Sequence, residues 1–203
     1  MPNSKAIAGI VLAAGQSSRA RPKNKLLHAV GGKPMVRRVT ETALAAGLDP
    51  VVIVTGFETE KIRAALAGLD VAFVHNDDFA RGMGGSIGRG VAALPPDAAA
   101  AVILLGDMPE IAPATIKSLI GAFDAAASKD ICVPVAERRR GNPVLFGRAH
   151  FGALGAIHGD RGGKGIVAAN PSRVVEVAVA DPGVLADYDT LPDESEGGVS
   201  EGR

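Results

Sequence analysis

Two cations follow a loop almost without side chains in this sequence. Leu12-Ala13-Ala14-Gly15 leads to Arg19, and Lys25 comes six residues later. Ala13, Ala14 and Gly15 carry too little side chain to keep phosphate oxygens away from the backbone N–H groups, and Gly15 has access to positive φ. Arg19 offers a planar fork and Lys25 a mobile point charge. Together they point to a bound polyphosphate, against the plainer reading of a strand–helix connection with solvated basic residues. Two widespread phosphate loops are excluded by spacing. G-x-G-x-x-G fails because Gly15 stands alone after the first strand. G-x-x-x-x-G-K-[ST] fails because Gly163-Lys164 is followed by Gly165 and has His158 in the first glycine position.

A carboxylate to match these cations lies in Leu104-Leu105-Gly106-Asp107-Met108-Pro109. Asp107 ends an apolar run that reads as a central strand, and ligands of open α/β sheets sit at that edge. It therefore faces the same crevice as Leu12–Gly15. Mg²⁺ prefers one or two carboxylates completed by phosphate oxygens and water, which makes Asp107 a metal ligand candidate. Capping of the helix that starts near Pro113 is the alternative, but the capping position belongs nearer Ala112. A second carboxylate is available from Asp187-Tyr188-Asp189-Thr190, a segment that equally fits an Asx-rich turn.

Other chemistries find little support. His28, His75, His150 and His158 form no H-E-x-x-H or Cys/His cluster, which disfavours a zinc hydrolase. Gly84-Gly85-Ser86-Ile87-Gly88 matches the letters of a serine nucleophile elbow, but a polar loop precedes it where the elbow needs a buried strand. Arg138-Arg139-Arg140 is the one dense basic run. It reads either as a solvated loop or as an anion contact beside Gly141-Asn142-Pro143.

The elements that must position these residues alternate between apolar runs and amphipathic or Ala-rich stretches, the pattern of a doubly wound, mostly parallel α/β sheet. Ala6–Leu12 is the first strand. Further strands are expected at 51–54, 71–74, 101–105, 131–135, 144–146 and 174–179. Helices are expected at 34–46, 58–66, 113–126, 150–157 and 164–169, and a second glycine-rich turn at Gly82 continues as a short helix to Gly90.

The 203 residues, 47% hydrophobic and with zero formal net charge, fit one domain over 1–193. The Gly, Ser and Glu residues of 194–203 read as a disordered tail. Balanced charge and 3% aromatics argue against nucleic acid as a partner. The lone Cys132 allows no internal disulfide, and no apolar run suggests a membrane span, so a cytoplasmic protein is expected.

Taken in order, Leu12-Ala13-Ala14-Gly15-x-Ser17-x-Arg19, Lys25-Leu26-Leu27 and Leu105-Gly106-Asp107-Met108-Pro109 resemble the nucleotidyltransferases that mature the molybdenum cofactor. The resemblance is strengthened by Asn76, Gly82-Met83-Gly84-Gly85-Ser86, Arg140–Phe146, Gly159-Asp160-Arg161-Gly162 and Asp187–Thr190, and it is nearest to the cytidylyltransferase branch. It implies a Rossmann-like nucleotidyltransferase fold, Mg²⁺ as cofactor, and CTP and molybdopterin as substrates. A recipient molybdoenzyme or its chaperone is the implied partner.

Carried onto this sequence, Arg19, Lys25 and Asp107 are the catalytic residues, and Leu12, Ala13, Ala14, Gly15, Lys25, Asn76, Gly82, Ser86 and Gly106 bind the nucleotide. Asn142, Asp160 and Gly162 face the acceptor, while Asp107 and Asp189 hold the metal, with Asp187 as the other choice. The chain departs from the branch at Asn142, where His is frequent. Ala14, where the guanylyl branch has Gly, leaves less room and favours a pyrimidine. A guanylyltransferase of the same pathway, a sugar-1-phosphate nucleotidyltransferase and a non-catalytic accessory protein remain as alternatives.

Overall fold

The computed structural model describes residues 6–16, 24–125 and 129–188. Arg19, Asp189 and the expected tail at 194–203 lie outside the described residues. In chain order the elements are β1 (Ile7–Ala13), β2 (Ala29–Val30), β3 (Lys33–Pro34), α1 (Met35–Ala45), β4 (Val51–Thr55), α2 (Thr59–Ala65), β5 (Ala72–His75) and α3 (Met83–Ala92). There follow β6 (Ala100–Leu105), α4 (Pro113–Ala125), β7 (Ile131–Ala136), β8 (Arg139–Arg140), β9 (Val144–Gly147), α5 (Phe151–Gly155), α6 (Lys164–Ala169) and β10 (Val174–Ala178).

The main sheet runs in the order β10-β7-β9-β6-β1-β4-β5, with β8 added beside β7. Every residue of β1 is buried, as expected for a strand covered on both faces. Its two neighbours, β4 and β6, pair with it in parallel, and Leu12 stands opposite Leu105. Alternation along β1 divides the core. Val11 and Ala13 pack with Val39 of α1, Ile62 of α2 and Ile116 of α4. Ile10, Leu12 and Ala14 pack with Ile87 of α3, Leu154 of α5 and Val167 of α6. Helices therefore cover both faces, and the expected doubly wound, mostly parallel architecture is what the chain forms.

Antiparallel strands break the regular winding. β9 lies between β6 and β7 and is antiparallel to both. β7 turns back into β8 through Glu137 and Arg138, both at positive φ. A two-residue hairpin of that hand suits the twist of paired strands, and it divides the Arg138–Arg140 run into a turn residue and a strand pair. The hairpin of β2 and β3 has no counterpart in the sequence reading, because two-residue strands carry no periodicity.

The helix expected at 150–157 is instead a 3₁₀ turn, Arg148–His150, followed by the shorter α5. The difference has a local cause. The His150 ring is tied to Asp130 at 2.9 Å, and Asp130 also receives the Arg173 guanidinium. Arg173, then His150, hold the Asp130 carboxyl below its ordinary range. Asp130 precedes β7, at the end of the sheet opposite Asp107, so this cluster is structural.

Candidate functional site

β1 and β6 end side by side, and this brings the first loop and the Asp107 segment together. A cavity of about 370 Å³ opens there, lined by Leu12, Ala14, Gly15, Lys25, Gly82, Ser86, Gly106 and Asp107. Leu12 and Ala14 reach it through strand alternation. The Ala13 side chain points to the other face, is fully buried and does not line the cavity, which leaves its backbone N–H as the group expected to meet a phosphate. Gly15 does not use the conformational freedom open to it. Its φ is not positive, and a Cβ there would meet nothing within 4 Å. The absence of a side chain keeps the cavity open; no special backbone conformation is involved.

Lys25 is placed by its neighbours. The Asn24 side chain accepts a hydrogen bond from Leu26 N–H at 3.1 Å, capping the 3₁₀ turn Lys25–Leu27, and Leu26 anchors that turn in the core. Across the cavity, Gly106 N–H donates to Leu12 C=O at 3.1 Å, and a Cβ on Gly106 would lie 2.7 Å from that oxygen. Glycine is thus what lets Asp107 follow so close to β1. Lys25 Nζ and Asp107 Oδ2 are 2.7 Å apart, with side chains 15% and 21% exposed. Two groups assigned separately to phosphate and metal therefore neutralise each other here.

Ser86 lies in the second turn of α3, buried, where its hydroxyl accepts from the Asn76 amide at 3.0 Å. A helical serine with that partner is no nucleophile elbow. Asn76 itself is 1% exposed and does not line the first cavity; its amide supports Ser86, which does. Asn76 also accepts from Asp78 N–H at 3.2 Å, fixing the turn that leads to Gly82. Gly82 has φ +109, and a Cβ there would overlap the Gly159 backbone. The next contact, Gly84 N–H to Gly159 C=O at 2.8 Å, locks the two loops together and carries Asp160 to the cavity wall.

A second cavity, about 430 Å³, adjoins the first and shares Met83, Leu105 and Asp160 with it. Asn142 and Gly162 line it, as do Arg140, Lys164 and Asp187. Its floor is apolar: Ile103, Val133, Val144, Phe146 and Val167. The segment carrying Asp187 reaches the site because Tyr188 N–H donates to Asp107 C=O at 3.1 Å and Tyr188 OH donates to Glu110 at 2.6 Å. The Glu110 carboxylate holds the Tyr188 hydroxyl above its ordinary pKa.

Sequence reasoning missed Met83, Lys164 and Asp181. Asp181 Oδ2 accepts from Ala112 N–H at 2.9 Å and Thr115 OH at 2.6 Å, so the cap of α4 comes from a distant residue and Asp107 stays with the cavity. Only proximity in space gives that signal. Among the described residues no three His, Cys, Asp or Glu side chains gather as a metal site, and no helix is long and apolar enough to cross a membrane.

Comparison with known proteins gives this arrangement its context. The bifunctional protein GlmU of Sorangium cellulosum is 34% identical over 166 residues, covering 76% of this chain and 34% of the relative. The chain thus spans about a third of the length of the curated relatives it matches. The Rv0371c structure from Mycobacterium tuberculosis H37Rv superposes with a TM-score of 0.77 at 31% identity, covering 87% of this chain and 89% of that one. A complex of the same protein with manganese gives 0.71 at 32%, covering 86% and 88%. A nucleotidyl transferase from Methanothermobacter thermautotroptrophicus gives 0.77 at 25%, covering 91% and 92%. The MobA-like NTP transferase domain matches residues 9–174, and the chain belongs to that family.

Proposed function

We propose that this member of the MobA-like NTP transferase family transfers CMP from CTP to the terminal phosphate of molybdopterin, with pyrophosphate as leaving group. The observation that carries the proposal is the pair of adjoining cavities, one holding the Lys25–Asp107 ion pair, the other with an apolar floor. An oxygen of the acceptor phosphate forms a bond to the α-phosphorus of CTP, and the bond from that phosphorus to the bridging oxygen of the β-phosphate breaks. An ionised phosphate is already a nucleophile, so the protein needs no general base. Its residues orient two anions and offset their charge.

In this reading Lys25 and Arg19 hold the triphosphate, Ala13 meets it through its backbone N–H, and Leu12, Ala14, Gly15, Gly82, Ser86 and Gly106 shape its pocket. Asn76 acts through Ser86. Ala14 puts a methyl group where a glycine would leave space, which supports the smaller pyrimidine. Asn142, Asp160 and Gly162 contact the acceptor. Asp107 is a hard oxygen donor open to the cavity, a donor set that fits Mg²⁺ completed by substrate oxygens and water, with Asp189 as the second carboxylate. When bound, the ion neutralises charge on the phosphate oxygens.

The likeness to GlmU favours a sugar phosphate as a second reading of the acceptor. The floor of the second cavity supports the first reading instead, since Ile103, Val133, Val144 and Val167 suit the flat face of a ring system better than the hydroxyl-bearing faces of a sugar. Segments from Leu12 to Asp187 line the two cavities, in keeping with one catalytic domain over 1–193.

Pyrophosphate release with Mg²⁺, molybdenum-loaded molybdopterin and each NTP in turn tests the assignment. CTP is expected to give the highest rate. Faster release with GTP refutes the base choice, and release with a sugar 1-phosphate but not with molybdopterin refutes the acceptor. No release with any NTP and either acceptor points to an accessory protein.

A further inference from the structure

The charged residues of the second cavity divide by origin. Its carboxylates belong to segments that also border Asp107: Asp160 lines the first cavity beside Asp107, and Asp187 precedes Tyr188, whose N–H bonds the Asp107 carbonyl. Its cations, Arg140 of β8 and Lys164 of α6, line the second cavity and not the first. Arg140 also has a partner across the sheet. β8 and β10 flank β7, and Arg140 Nε donates to Glu176 of β10 at 2.7 Å. Nε thus faces Glu176 in a half-exposed ion pair, while the side chain also forms part of the cavity wall.

We propose that Arg140 and Lys164 form an oxyanion subsite at the part of the second cavity away from Asp107. The acceptor then carries an anionic group besides the phosphate that reacts, the two joined by a body flat and apolar enough for the floor around Phe146. This rests on the reading of the second cavity as the acceptor pocket, and it goes beyond that reading in assigning two residues and a second charge. A guanidinium and an ammonium from separate elements suit an oxyanion, one as an oriented fork and the other as an adjustable point charge. Glu176 is a positioning residue for Arg140.

The test uses the full chain and two planar probes of equal size, 2-naphthoate and neutral 2-naphthamide. Each is titrated by calorimetry with and without a non-hydrolysable CTP analogue and Mg²⁺. Naphthoate is expected to bind about tenfold more tightly than naphthamide, roughly the effect of one charge-assisted hydrogen bond. Lys164→Met and Arg140→Gln should each remove that preference while leaving naphthamide affinity unchanged, and added salt should weaken naphthoate alone. Equal affinity of the two probes for the unaltered protein overturns the proposal. So does a parallel loss of both probes in the variants, since the cations would then be wall residues. Failure of the nucleotide reading is separately visible: the analogue would not bind, while the naphthoate preference, measured without it, would remain.

Discussion

Replacing Lys25 with Met should tighten the binding of a divalent cation to the nucleotide-free protein, although it removes a residue assigned to catalysis. The reason lies in the ion pair, whose charged atoms are 2.7 Å apart. At that separation unit charges attract by about 6 kcal/mol at an effective dielectric near 20, and by about 1.5 kcal/mol in bulk water. The Lys25 and Asp107 side chains are only 15% and 21% exposed. Desolvation therefore offsets much of the larger figure and leaves a net of about 1–2 kcal/mol. A cation arriving alone must break this pair and sit beside an ammonium. Methionine keeps the length and apolar stem of lysine and removes both costs.

Mn²⁺ affinity, followed by electron paramagnetic resonance of the free ion, should therefore rise about tenfold in Lys25→Met, the equivalent of about 1.4 kcal/mol. Affinity for CTP with Mg²⁺ should fall in the same variant. Unchanged or weaker Mn²⁺ binding, with an unchanged thermal midpoint, refutes the reasoning: the lysine would not be competing with the metal for Asp107. Asp107→Asn is the control, and it should lose Mn²⁺ binding.

Three further outcomes follow from individual contacts. Asp107→Asn should abolish pyrophosphate release with near-normal thermal unfolding; an unfolded variant would make Asp107 structural. Ser86→Ala leaves the buried Asn76 amide without its partner. That should cost about 1–3 kcal/mol in urea denaturation. A change below about 0.5 kcal/mol, the range of ordinary surface substitutions, would deny that Asn76 depends on Ser86. Asp130 is held below its ordinary value of 3.8 by Arg173 and His150. Its contribution to stability is therefore complete above that ordinary value and lost as pH falls through the lower folded one. Thermal unfolding of Asp130→Asn, followed from neutral to acidic pH, should start lower and decline less on acidification. A decline parallel to that of the unaltered protein would contradict the assignment.

The alternation of apolar runs was enough to indicate a doubly wound sheet, because strands covered on both faces and helices with one buried face leave different periodicities. The same local information marked Leu12–Gly15 and Lys25 and placed Asp107 at a strand end. It also placed Gly82 at the start of a helix, where small residues and charges at fixed spacing carry the signal. What lay beyond it was contact between distant segments. Sequence spacing gave no hint that Lys25 pairs with Asp107, that Asn76 supports Ser86 from behind, or that Asp181 caps α4 from 66 residues beyond Thr115. Nor did it distinguish Arg140, turned toward a cavity and tied to Glu176, from its two neighbours in the basic run. Local propensity determines which elements form and where small residues or charges punctuate them. Which side chains then meet depends on how the sheet orders its strands and how closely glycine lets backbones approach, and tertiary packing alone decides that.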